Sequence, residues 1–226
     1  MDFIKSVIDF ILHIDVHLAE IMNTFGLWTY AILFVVIFIE TGLVVTPFLP
    51  GDSLLFAAGA LAKLNPGALN ILWLYLLMVA AAVLGDTANY WIGRILGPKV
   101  FTQKSRFFKK EYLDRTHAFY EKHGGKTIFL ARFIPIIRTF APFVAGIGKM
   151  SYGHFISYNI IGGIVWPAVC LFSGYFFAEI PFVQKNFSLV AVAIILISVI
   201  PILIEWLKSR KKSSKAAEVE NVDKSE

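Results

Sequence analysis

The sequence predicts an all-α integral membrane protein, built as an inverted repeat of two opposed re-entrant helical hairpins with about three spanning helices and interfacial amphipathic helices. Three observations predict it. The 226 residues are 57% hydrophobic and only 16% charged, with a mean hydropathy of +0.68, well outside the composition of soluble domains. The basic residues gather in two clusters that flank apolar runs instead of spreading over a surface. Two of those runs are broken in the middle by prolines and ionisable residues, at "ETGLVVTPFLPGD" (40–52) and "TIFLARFIPIIRTFAPFVAGIG" (127–148). Basic clusters that flank apolar spans argue against nucleic-acid binding. The single cysteine, Cys170, excludes an intramolecular disulfide and offers no metal cluster. No metal and no cofactor are expected.

Taken in order, the chain begins with a polar stripe of Asp2, Lys5, Asp9, His13, His17 and Glu20 among Ile, Val, Leu and Phe. That spacing is an amphipathic helix lying in a membrane interface. A cleaved signal peptide would need a basic start and an uninterrupted apolar core. The first hairpin is expected over about 27–62, where Pro47 and Pro50 remove backbone donors and Gly51 loosens the turn. A span follows over about 67–97. The stretch 98–126 then carries eight basic residues, Lys99, Lys104, Arg106, Lys109, Lys110, Arg115, Lys122 and Lys126, against Glu111, Asp114 and Glu121. Its aromatic residues at helical spacing read as a basic helix on an anionic leaflet. "GGKT" at 124–127 resembles the end of a phosphate loop but lacks the leading glycine, since Tyr120 stands there. The second hairpin is expected over about 127–148, with Pro135 and Pro142 as breakers, and further spans over about 151–180 and 187–207. Residues 1–210 form one transmembrane domain, and 211–226 a disordered tail.

Charge decides the topology. The loop at 98–126 and the cluster Lys208, Arg210, Lys211, Lys212 and Lys215 are both placed in the cytoplasm by the positive-inside rule. From Lys126 to Lys208 the chain must therefore cross the bilayer an even number of times, yet three apolar runs lie between. The run at 127–148 holds two arginines, each costing about 2.5–3.5 kcal/mol at mid-membrane. It is the one that enters and leaves on the same side. The first hairpin then enters from the outer face, and two opposed hairpins, each followed by a span, are the mark of an inverted repeat.

Four ionisable residues fall within the hairpins: Glu40, Asp52, Arg132 and Arg138. Intramembrane charge is tolerated when paired or lining a polar cavity, and these four are formally neutral together. Pro135 lies between Arg132 and Arg138 and lets both face one centre. A guanidinium presents a planar fork of donors that matches phosphate oxygens. The two arginines are therefore the candidate phosphate-binding residues, with Glu40 and Asp52 as charge partners or proton carriers. The structural alternative is that all four are internal salt bridges joining the hairpins. In "GDTANYWIGRILG" (85–97), Gly85, Asn89, Gly93 and Gly97 form a small-residue row that suits close helix packing. Asp86, Tyr90 and Arg94 share the adjacent face as a candidate gate or headgroup contact. The histidines show no metal spacing, and the tryptophans read as interface or packing aromatics.

"FIETGLVVTPFLPGDSLLFAAGALA", "GDTANYWIGRILG" and "YEKHGGKTIFLARFIPIIRTFAPFVAGIGKMSYGHFISYN" together resemble the DedA family of bacterial inner-membrane proteins, over nearly the whole chain except the tail. The resemblance implies two opposed re-entrant hairpins and movement of phospholipids or undecaprenyl phosphate across the membrane, with proton-motive-force dependence. It also implies that Glu40, Asp52, Arg132 and Arg138 match the acidic residues and arginines tied to activity in the family. The function expected is that of a flippase for a phosphate-headgroup lipid, undecaprenyl phosphate or a phospholipid such as phosphatidylethanolamine, in a bacterial inner membrane with the C-terminus in the cytoplasm. Membrane lipids are the expected partners, and the sequence leaves homo-oligomerisation open. A proton or small-ion antiporter supporting membrane homeostasis is the alternative. A lipid phosphatase would need a nucleophile with a base beside it; neither hairpin holds a histidine or cysteine, and the chain is not expected to be an enzyme. An assembly factor would move neither lipid nor ions.

Overall fold

The structure, a computed structural model, describes residues 14–43, 51–100 and 124–186, together with 189, 190 and 193. Among these residues every regular element is a helix. The chain runs through α1 (Ile14–Phe25), α2 (Trp28–Gly42), α3 (Gly51–Leu64), α4 (Ile71–Val100), α5 (Lys126–Ala131), α6 (Pro135–Ile147), α7 (Tyr152–Phe177) and α8 (Pro181–Lys185). The expected turn prolines Pro47 and Pro50, most of the basic stretch before 124, nearly all of the span at 187–207 and the tail lie outside the described residues.

Among the described residues two helices are long and apolar enough to cross a bilayer, over Ile71–Leu96 and Tyr152–Phe177. At 1.5 Å per residue, the 30-residue α4 is about 45 Å long, more than the roughly 30 Å of a hydrocarbon core. Asn70 starts it, its Oδ1 accepting the backbone N–H groups of Leu72 (2.9 Å) and Trp73 (3.2 Å), the usual repair of orphan donors at a helix N-terminus. Both long helices turn large apolar residues outward. Leu72, Trp73, Leu76, Leu84 and Ile95 on α4, and Ile161, Ile164, Val169 and Phe176 on α7, are all exposed. An apolar surface of that extent belongs in lipid. The chain is a membrane protein.

The other apolar helices are too short to span. α2 has 15 residues, α3 14 and α6 13, so each measures about 20 Å. The sequence explains their boundaries. Pro135 occupies the first turn of α6, where its missing N–H costs nothing, and the extended Ile134 before it (φ −117°, ψ 107°) ends the preceding turn. Pro142 lies inside α6 and Pro167 inside α7, positions that membrane helices tolerate when neighbours satisfy the freed carbonyls.

Packing is close and reciprocal. A Cβ on Gly59 of α3 would lie 2.9 Å from the carbonyl carbon of Leu171 on α7, and one on Gly174 of α7 would lie 2.8 Å from that of Phe56 on α3. The same exchange joins α4 to α6. A Cβ on Gly93 would meet Phe143 at 2.9 Å, and one on Gly146 would meet the Arg94 amide at 2.8 Å. Gly93 is the 23rd residue of α4 and Gly174 the 23rd of α7. Small residues let backbones touch, which is how helices associate without a hydrophobic driving force in lipid. α1 closes the bundle by burying Leu18 and Met22, while Val16 and Phe25 remain exposed. This is the amphipathic division expected for the end of the N-terminal helix; residues 1–13 lie outside the described residues.

Candidate charge-paired site in the bundle core

On α2 the buried positions Thr29, Leu33, Ile37, Glu40 and Thr41 fall three or four residues apart on one stripe. Glu40 thus occupies a core position of an otherwise apolar face and is 1% exposed. A buried carboxylate in such a place requires a partner. It finds Arg138 of α6, whose Nη2 donates to Glu40 Oε1. The other terminal nitrogen, Nη1, donates to Asp52 Oδ1 at 2.7 Å, so one guanidinium bridges two carboxylates from the two helices around the first chain break. Asp52 lies in the first turn of α3, where the helix dipole favours negative charge. Glu40 is also held at the start of that helix. A Cβ on Gly51 would meet its carboxylate carbon at 2.5 Å, so only glycine lets the carboxylate sit there.

Trp166 of α7 completes the group. Its Nε1–H donates to Asp52 Oδ1 at 2.7 Å, and the Arg138 guanidinium carbon lies 4.6 Å from the ring centroid, within cation–π range. The cluster therefore contains one cation and two carboxylates. Two buried atoms, Glu40 Oε2 and Arg138 Nε, have no hydrogen-bond partner. The Glu40 and Arg138 side chains are 1% and 4% exposed, but Asp52 is 19% exposed. Access to the cluster thus runs past Asp52.

Arg132 is not part of it. Sequence reasoning brought both arginines and both hairpin carboxylates to one centre, and the structure sends Arg132 elsewhere. Its Nη2 pairs with Asp86 of α4 and donates to Asn159 Oδ1 of α7 at 2.8 Å. The Arg132 and Asp86 side chains are 2% and 3% exposed. The reason is steric as well as electrostatic. Gly162 and Gly163 of α7 leave the channel through which Arg132 passes, since a Cβ on either would lie 3.2 Å from its Cδ or 2.8 Å from its Nη1. Asn159 fixes the far side, with Nδ2 donating to the Val83 carbonyl at 3.0 Å.

The candidate gate of Asp86, Tyr90 and Arg94 is likewise divided. Asp86 belongs to Arg132, whereas the Tyr90 hydroxyl donates to the Met150 carbonyl (2.5 Å), which Arg94 Nη1 also approaches at 3.1 Å. Tyr90 is fully buried and stacks on Phe155, 4.4 Å between centroids; this pair is a clamp on the turn after α6. The small-residue row behaves as spacing predicts at Gly85 and Gly93, where α2 and α6 approach. Asn89 between them does more than pack. Its Nδ2 donates to the carbonyls of Thr41 (3.1 Å) and Thr139 (2.7 Å), the residues that follow Glu40 and Arg138. Asn159 is not singled out by the sequence, and Trp166 reads there as an interface or packing aromatic, whereas the structure puts both beside the buried charges. The available signals were a lone amide in the apolar run "YNIIGGIV" and a tryptophan in mid-span instead of at an end.

Comparison with known proteins agrees with this architecture. Residues 49–176 match the VTT domain family. The chain is 57% identical to Protein DedA of Escherichia coli over 96% of its own length and 100% of that protein. It is 46% identical to an uncharacterized membrane protein of Mycobacterium tuberculosis over 76% of each chain. It is 34% identical to the inner membrane protein YqjA of Escherichia coli over 69% of its own length and 70% of that protein. No solved structure matches it. The domain match and these relatives place the chain in the DedA family of VTT-domain membrane proteins.

Proposed function

We propose that the chain moves a phosphate-headgroup lipid, undecaprenyl phosphate or a phospholipid, between the leaflets of a bacterial inner membrane, with α2–α3 and α5–α6 as two re-entrant hairpins of an inverted repeat. The exchange of glycine contacts supports the repeat, because the second leg of each hairpin packs on the long helix that follows the other hairpin. One observation carries the functional reading: Arg138 is shared between Glu40 and Asp52 deep in the bundle, with its Nε unpaired. A guanidinium bound to two carboxylates can exchange one of them for a phosphate, whose oxygens accept its N–H groups as carboxylate oxygens do. Asp52 is the partner to be exchanged, since it is the more exposed. Arg132 is enclosed with Asp86 and Asn159, so its contribution to transport is to hold the second hairpin against α4 and α7. The cytoplasmic position of the C-terminus and of the basic loop belongs to this reading.

Proteoliposomes loaded with radiolabelled undecaprenyl phosphate test it. Transport by wild type and its loss in Arg138→Ala are expected. Equal rates in wild type and Arg138→Ala would sink the mechanism.

A second reading, a proton or small-ion antiporter, is favoured by the cluster's composition: one guanidinium against two carboxylates leaves one formal negative charge, which a single proton or cation neutralises. Proton flux in vesicles without added lipid substrate, abolished in Asp52→Asn, is its signature.

A further inference from the structure

Beside the charge cluster lies an apolar cavity of about 450 Å³. Its walls include Asp52 and Phe56 of α3, Val169, Ser173 and Phe177 of α7, and Val183 of α8. Among the described residues of that wall Asp52 is the one charged side chain, and the Cys170 thiol lines it as well. The Ser173 hydroxyl is already committed, donating to the Val169 carbonyl on its own helix. Nothing in the wall except Asp52 therefore calls for a polar ligand, and a hydrocarbon fits it best. Val169 and Phe177 are also half exposed on the outer face, so the cavity opens toward the bilayer.

We infer that this cavity seats one hydrocarbon chain of the transported lipid and so delivers its phosphate to Arg138, an inference that rests on the lipid reading above. Asp52 ties the two places together, lining the cavity with the same side chain whose Oδ1 accepts from Arg138 and Trp166. The unpaired Arg138 Nε and Glu40 Oε2 are the second observation, two buried polar atoms beside Asp52 without a hydrogen-bond partner in the protein. Volume sets the number of chains. At about 30 Å³ per water-sized group, the cavity holds roughly 15 such groups, which is three isoprene units or one acyl chain, and not two.

Any groove facing a bilayer takes up passing lipid tails, so the distinguishing property is dependence on the headgroup. The full chain in phosphatidylcholine nanodiscs is photolabelled with farnesyl phosphate carrying a diazirine at the tail end, and the crosslinks are mapped by peptide mass spectrometry. Label is expected on Phe56 and on the segment containing Val169, Ser173 and Phe177. Unlabelled farnesyl phosphate should compete about tenfold better than farnesol, the worth of one charge-assisted hydrogen bond, and inorganic phosphate should not compete. Ser173→Phe should cut the yield about fivefold by filling the cavity, with Val169→Phe as the substitute if that variant does not fold. Ile161→Phe, on the outer face, should leave it unchanged. Equal competition by farnesol, or label spread over outward residues such as Trp73, Leu76 and Ile161, overturns the inference. Transport on the same preparations separates the two claims: transport with label outside the cavity sinks the chain site alone, and focused label without transport sinks only the lipid-moving reading.

Discussion

Arg132→Met is the most informative substitution outside the charge cluster, because the structure gives Arg132 a role that its position in the sequence does not. The substitution keeps length and apolar stem but removes the cation from a pair whose side chains are 2% and 3% exposed. Asp86 then remains buried with its second oxygen, Oδ1, already without a partner. Breaking a buried pair from one side costs about 3–5 kcal/mol, since an uncompensated charge is left behind. At roughly 2–4 °C per kcal/mol for a chain of this size, the melting temperature in detergent should fall by about 6–20 °C. Adding Asp86→Leu removes the orphan charge, and replacement of a whole buried pair by apolar residues is often nearly neutral. Asn159 Oδ1 still loses its donor, so a residual cost of about 1–3 kcal/mol stays. The double variant should thus be more stable than Arg132→Met alone. A loss below about 1 kcal/mol for Arg132→Met, the range of an exposed pair, would refute the reasoning, as would a double variant that loses the sum of the two single effects. Transport then assigns the role: a stable double variant that still moves lipid makes Arg132 architectural.

Five further substitutions read other parts of the structure. Gly59→Ala and Gly93→Ala each force a methyl into a neighbouring helix's backbone and should cost about 3 kcal/mol or more in thermal unfolding, whereas Gly67→Ala, with open space around its Cα, should stay within about 0.5 kcal/mol. Asn89→Ala orphans the buried carbonyls of Thr41 and Thr139, at about 1–3 kcal/mol each; transport should fall with it, and a variant of wild-type stability and rate would show that Asn89 is not the link between the two chain breaks. Gly51→Ala displaces the Glu40 carboxylate without touching Asp52, so transport should drop while Trp166 fluorescence, which reports its bond to Asp52, stays near that of wild type.

Much of the helical plan was legible because membrane insertion imposes simple rules. Length and hydropathy alone locate α4 and α7, and Pro135 marks the start of α6. The buried status of Glu40 and Arg138 followed from the expense of a charge inside an apolar run. That such charges need partners also followed, since an unpaired charge in an apolar run is costly. What sequence could not decide was which arginine meets which carboxylate. Asp86 lies in a helix that reads as a clean span, and its neighbours Tyr90 and Arg94 recur at the same four-residue step, so periodicity grouped Asp86 with two residues from which packing separates it. The choice depends on Gly162 and Gly163, which admit the Arg132 side chain to α4. That is a property of three helices meeting, and no single stretch encodes it.

The separation of the two arginines matters for mechanism more than their joint presence. Arg132 and Asp86 make a neutral pair, sealed and cross-braced by Asn159; such a site has no room for a third charged group and no electrostatic reason to take one. Arg138 with Glu40 and Asp52 is one charge away from neutrality, has an unpaired donor in its Nε, and meets an apolar cavity through its most exposed member. A device that binds and releases an anion needs the second kind of site, since a charge imbalance lets one proton or one ligand change the preferred partner of the guanidinium. The first kind keeps the surrounding helices still while that exchange takes place. Asn89 reaches the backbone beside both Glu40 and Arg138, so any movement that parts the ion pair must also strain this amide.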